Sequence, residues 1–126
     1  MITEEMNRYI LIFLVLLIGC KTSEKPSGIS EDGKWIIFSH MLQVVDRETE
    51  EITYERTTSP ITHSEQNILI EILEKRYVEF RIDQDSIWLD IKRYPDYNSL
   101  FLLDTELFTE MEEKFNIPVP KRWRYD

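Results

Sequence analysis

The sequence predicts an α+β fold, a mostly antiparallel sheet of four to five strands with two helices on one face, in the order ββαββ(β)α. Three observations lead there. Val78, Phe80 and Ile82, then Ile87, Leu89 and Ile91, alternate with more polar neighbours on either side of Gln84-Asp85-Ser86, the cleanest hairpin pattern in the chain. Two other stretches, 63–76 and about 105–116, carry apolar residues at helical spacing. Finally, 126 residues make one domain rather than two, and a single cysteine rules out an internal disulfide, so packing alone must hold it.

Taken in order, the first strand is Lys34 to Val45, KWIIFSHMLQVV. Ile36, Phe38, Leu42 and Val44 share one parity, while Trp35, Ile37, Met41 and Val45 share the other. Apolar residues on both parities predict a central strand covered on both faces. Asp46 to Glu50 is a charged turn, and Glu51 to Thr57 alternates as the partner strand. Thr58-Ser59-Pro60 ends it. Thr62 and Glu65 then have capping-box spacing, with Ile68, Leu69, Ile72 and Leu73 forming the apolar face of a helix over 63–76. The 78–92 hairpin follows. Pro95-Asp96-Tyr97-Asn98 reads as a turn, and Leu100 to Leu103 as a short fifth strand. Asp104 or Thr105 is expected to cap a last helix whose stripe is Leu107, Phe108, Met111 and Phe115. Pro118 and Pro120 stop it, and KRWRYD closes the sequence.

The N-terminal region is different in kind. Tyr9 to Ile18, YILIFLVLLI, carries no charge. Ten helical residues cover about 15 Å, half of a hydrocarbon core of about 30 Å, so the run suits a signal-peptide apolar region better than a membrane span. It ends at Leu17-Ile18-Gly19-Cys20, followed by the polar stretch KTSEKPSGISEDG. This tetrapeptide resembles the lipobox of bacterial lipoproteins. The resemblance implies cleavage between Gly19 and Cys20, a lipid thioether on Cys20, and anchoring to membrane lipid in the bacterial cell envelope. Lys21, where an Asp can hold such proteins at the inner membrane, favours the outer membrane. The expected organisation is therefore a signal peptide over 1–19, a lipidated flexible tether over 20–30, and one globular domain over 31–126. Glu4 and Glu5 do not suit the positive leader of a signal peptide, whereas Met6-Asn7-Arg8 does, so translation is expected to start at Met6.

Gly33-Lys34-Trp35 resembles the G-x-W of lipocalin-type barrels, in which the tryptophan packs against a basic residue near the chain end. The resemblance implies a small β-barrel that binds an apolar ligand, with Arg122 or Arg124 against Trp35. Glycine usage opposes it. The glycines are Gly19, Gly28 and Gly33, and none lies downstream to supply the positive φ that tight hairpin turns favour.

Charge and motif content narrow the chemistry. The chain carries −9, and removal of residues 1–19 leaves 14 basic and 22 acidic residues, a net of −8. That disfavours nucleic acid, whose phosphates need clustered Lys and Arg, and favours a well-solvated surface or a basic protein partner. His40 and His63 stand 23 residues apart without Cys or carboxylates at ligand spacing, so His40 reads as a satisfied core histidine and no metal or cofactor is expected. Asp83-Gln84-Asp85-Ser86 reads as turn chemistry rather than a calcium loop. No G-x-S-x-G elbow or phosphate-cradling glycine loop occurs. A hydrolase would need His40 to meet a hydroxyl and a carboxylate. The basic, aromatic tail offers Arg122, Trp123 and Arg124 as possible interaction residues, or folds back with an Arg stacked on an aromatic ring. The expectation is a non-enzymatic envelope lipoprotein with a small acidic protein-interaction domain.

Overall fold

The computed structural model describes residues 26–126. The expected signal peptide, the expected start at Met6, and the cleavage and lipidation expected at Gly19 and Cys20 lie outside the described residues. The elements are β1 (Trp35–Ile37), β2 (Met41–Val45), β3 (Ile52–Arg56), α1 (His63–Lys75), β4 (Phe80–Asp83), β5 (Ser86–Asp90), α2 (Tyr97–Phe115) and β6 (Trp123–Tyr125).

The α+β class and the two helices stand, but the strands form two three-stranded sheets rather than one. The first has the order β1-β5-β4 and is antiparallel throughout. The second has the order β3-β2-β6, with β3 antiparallel to β2 and β6 parallel to it. The expected strand over 34–45 is therefore two strands in two sheets. The chain crosses between them at Phe38-Ser39-His40. The burial follows the division: Ile36, Phe38 and His40 are buried on one parity up to the crossover, and Met41 and Val44, on opposite parities, are buried within β2. Among the described residues no closed barrel forms, which corrects the lipocalin-like fold alternative. Trp35 accordingly has neither Arg122 nor Arg124 over its ring; Arg81 lies there, 5.1 Å from the centroid.

The β4–β5 hairpin closes through Gln84-Asp85, both at positive φ, so two non-glycine residues make the tight turn. Helix α1 has the expected capping box. Thr62 Oγ1 accepts the Glu65 amide, and Glu65 Oε1 accepts the Thr62 amide. Its end is a Schellman motif built on Tyr77 in the left-handed region, with Val78 N–H donating to the Leu73 carbonyl.

The second helix differs most from expectation. It begins at Tyr97, capped by Asp96, and absorbs both the turn at 95–98 and the strand expected at Leu100–Leu103. Leu100, Leu103, Leu107 and Met111 fall on one face at helical spacing and are all buried. A stripe that long buries more apolar surface than a four-residue strand would. Helix α2 packs on α1, β2 and β3, and one apolar core joins Ile36, Phe38, Ile87 and Leu89 of the first sheet and its exit to both helices and to Met41.

The folded unit also takes in residues 27–30, at the end of the expected tether. Ile37 N–H donates to the Gly28 carbonyl, Ser30 N–H to the Trp35 carbonyl, and Ser27 N–H to the Tyr97 hydroxyl, each at 2.9 Å. Ile29 bridges to Ile36 and packs on the core, which supplies the apolar burial that holds this segment.

Candidate functional site

A pocket of about 290 Å³ opens where the C-terminal tail crosses the start of α1. Leu42, Pro60, Phe108 and Pro120 give it apolar walls, and His40, Glu65, Lys121 and Arg122 bring charge to it. Three elements and the tail converge here because His40 sits on the crossover between the sheets, Glu65 in the first turn of α1, and Asp104 midway along α2.

His40 is 5 % exposed and bonded at both ring nitrogens. Nδ1 lies 2.8 Å from Asp104 Oδ1, and Nε2 lies 3.0 Å from Glu65 Oε1. Asp104 is completely buried, and its second oxygen accepts the Met41 amide at 2.8 Å and Arg122 Nη2 at 2.9 Å. Arg122 also donates to Thr105 Oγ1 at 2.6 Å, and its guanidinium lies over the rings of Phe101 and Phe108, 4.3 and 5.0 Å from their centroids. Phe108 stacks on the His40 ring at 4.8 Å. Two carboxylates, a guanidinium and an imidazole thus form one hydrogen-bonded cluster on the border of the apolar core. The arrangement follows from cost: a buried carboxylate without partners is strongly unfavourable, so it is found paired and hydrogen-bonded.

The electrostatics follow the same geometry. Burial opposes the charged form of His40, yet the hydrogen bond and charge of Asp104, then those of Glu65, outweigh it and hold the imidazole pKa above its usual 6.5. Burial likewise pulls the Arg122 guanidinium below its usual value against the pull of Asp104. Arg122 remains a cation at any physiological pH.

Thr57, Ser59 and Thr62 line the same pocket, but the imidazole meets two carboxylates rather than a carboxylate and a hydroxyl. This differs from the dyad that hydroxyl activation uses. His63 opens α1 and is exposed, remote in role from His40. Among the described residues, no group of three or more His, Cys, Asp or Glu side chains is arranged to hold a metal ion.

The three tail residues have different settings. Arg122 is inside the cluster, its side chain 10 % exposed. Trp123 is 41 % exposed, with Lys121 Nζ 4.4 Å above its ring and the Tyr125 ring edge-on at 5.1 Å. Arg124 bonds to Glu55 across the second sheet and to Asp126. Trp123 and Tyr125 stand on β6, the outer strand of its sheet.

Asp104 and Glu65 are the cluster members that sequence reasoning assigned elsewhere. Asp104 was expected to cap a helix. Its signal is its position among Leu100, Leu103 and Leu107, where a carboxylate on a leucine stripe requires a buried partner. Glu65 was correctly placed in the capping box, but nothing local indicates that the same oxygen also meets His40. Comparison with protein-family models, with curated proteins and with solved structures finds no match to this chain.

Proposed function

We propose that this protein is a non-enzymatic, lipid-anchored component of the bacterial cell envelope whose acidic domain binds another protein close to the membrane. The reading is carried by one observation: the only cysteine ends an apolar run in Leu17-Ile18-Gly19-Cys20. Acylation supplies roughly 0.8 kcal/mol per buried methylene, so two or three chains on Cys20 anchor durably where one holds marginally. Lys21 favours the outer over the inner membrane.

The length of the connection supports a partner near the bilayer. Ser27 is hydrogen-bonded to Tyr97 and Arg56, which leaves residues 21–26 between the anchor and the fold. Six residues reach at most about 22 Å. The contact patch we favour is the exposed pair Trp123 and Tyr125 with Arg124 on the open edge of β6, since aromatic and arginine side chains are favoured interface anchors and an outer strand offers backbone groups for pairing.

The test is metabolic labelling with a radioactive fatty acid, followed by fractionation. The wild-type chain should carry label, collect in the membrane fraction, and accumulate as a larger precursor under globomycin. Cys20→Ala should lose all three behaviours. An unlabelled wild-type chain, or a Cys20→Ala variant that stays equally membrane-bound, refutes the anchor. Crosslinking from position 123 in the native envelope, without a protein adduct, refutes the contact patch.

A further inference from the structure

We infer that His40 is a proton-held latch: as imidazolium it ties the start of α1 to the middle of α2, and loss of its proton frees Glu65 and leaves a bare lone pair on Nε2 at the pocket wall. The geometry carries this. Both ring nitrogens face carboxylate oxygens, at 2.8 and 3.0 Å, in a ring that is 5 % exposed. A neutral imidazole has one N–H and one lone pair. It can serve one of the two carboxylates, and its lone pair then faces the other.

Which contact breaks is set by the groups around it. From α2, Asp104 is completely buried and is also held by the Met41 amide of β2 and by Arg122 of the tail. From α1 comes Glu65, its side chain 13 % exposed at the pocket wall, whose remaining partner is the Thr62 amide. Lys121 is the other charge lining the pocket, and Phe108 of α2 covers the ring face. Asp104 cannot leave without stripping two other donors, whereas Glu65 can turn towards water. The neutral ring therefore keeps Nδ1–H on Asp104 and gives up Glu65. The capping contact of Glu65 Oε1 to the Thr62 amide goes with it, which loosens the first turn of α1. The raised pKa of His40 agrees with this, since the two-carboxylate cage favours the charged ring.

The test is nitrogen-15 NMR of the full chain in detergent micelles, titrated upward from pH 6. At pH 6 both His40 ring nitrogens should be protonated. Deprotonation should occur with a midpoint above 6.5, and the Thr62 and Glu65 amides should shift with that same midpoint while the Met41 amide stays largely in place. Glu65→Gln keeps the capping box, because Gln serves at that position, and its carboxamide can accept from the charged ring or donate to the neutral one. In that variant the His40 midpoint should fall and the pH-linked shift of the Thr62 amide should disappear. A single ring proton at pH 6, Thr62 and Glu65 amides that ignore the His40 titration, or an unchanged midpoint in Glu65→Gln would each overturn the latch.

Discussion

Asp104 holds three groups from two distant segments: the His40 ring and the Met41 amide at the entry to β2, and the Arg122 guanidinium of the tail. Removing one partner of a buried ion pair leaves charges without compensation, which typically costs about 3–5 kcal/mol. Asp104→Ala should lose stability on that scale in urea unfolding. The His40 side of the cluster adds a pH dependence of known sign. Its folded-state pKa is raised above the usual 6.5. Its stabilising contribution is therefore complete below about 6.5 and is lost as pH rises through the folded-state value. Urea midpoints should fall as pH is raised across that window, and His40→Gln should flatten the fall. An Asp104→Ala loss below about 1 kcal/mol, the ordinary scale of a surface pair, would contradict the assignment. The sequence marked His40 as a satisfied core residue, since it shares the parity of Phe38. It could not name the partners, which lie 25 and 64 residues away.

Among the elements, the segment 27–30 and the helix α2 show how far local patterns reach. Gly28 and Gly33 both have positive φ, at 81° and 74°, but differ in surroundings. A Cβ on Gly28 would come within 2.6 Å of Ile37 Cγ2 and 2.7 Å of Arg56 Nη2, whereas one on Gly33 meets nothing within 4 Å. Gly33→Ala should cost only the left-handed backbone term, about 1–2 kcal/mol. Gly28→Ala adds a steric clash of the kind that costs about 1–3 kcal/mol more, and should separate residues 27–30 from β1. Thermal unfolding of the two variants checks the ranking; equal losses would mean that this segment contributes little. The 80–90 hairpin was legible because it carries one period and its own turn, and helix α1 because the capping box at Thr62 and Glu65 decides against the strand that the alternation of Ile68, Ile70 and Ile72 also allows. Helix α2 was misread at its start. Asp96 and Ser99 form a reciprocal cap, but Pro95-Asp96-Tyr97-Asn98 also has turn composition, and Leu100 to Leu103 read in isolation has no period that excludes a strand.

For the molecule as a whole, the two sheets share one apolar core and are covalently continuous through Phe38-Ser39-His40. They should therefore unfold together. Trp35 and Trp88 report on the first sheet and Trp123 on the second. Urea transitions followed by fluorescence in Trp123→Phe, and in Trp35→Phe with Trp88→Phe, should coincide once each is referred to the stability of its own variant by circular dichroism. Two separated transitions in one variant would show that the sheets are independent units. The tail belongs to the same unit, because β6 pairs with β2 and Arg122 enters the buried cluster.

By itself the sequence determined the α+β class, the two helices, the capping box at Thr62 and Glu65, the 80–90 hairpin and a net acidic surface. Each rests on interactions within a few residues or on composition, and so leaves a periodic or compositional trace. The tertiary structure alone decided the division into two sheets, the parallel seat of β6 and the His40–Asp104–Glu65–Arg122 cluster. These depend on which distant segments meet. The cost of a buried charge dictates that Asp104 must have partners, but only the packed chain selects them.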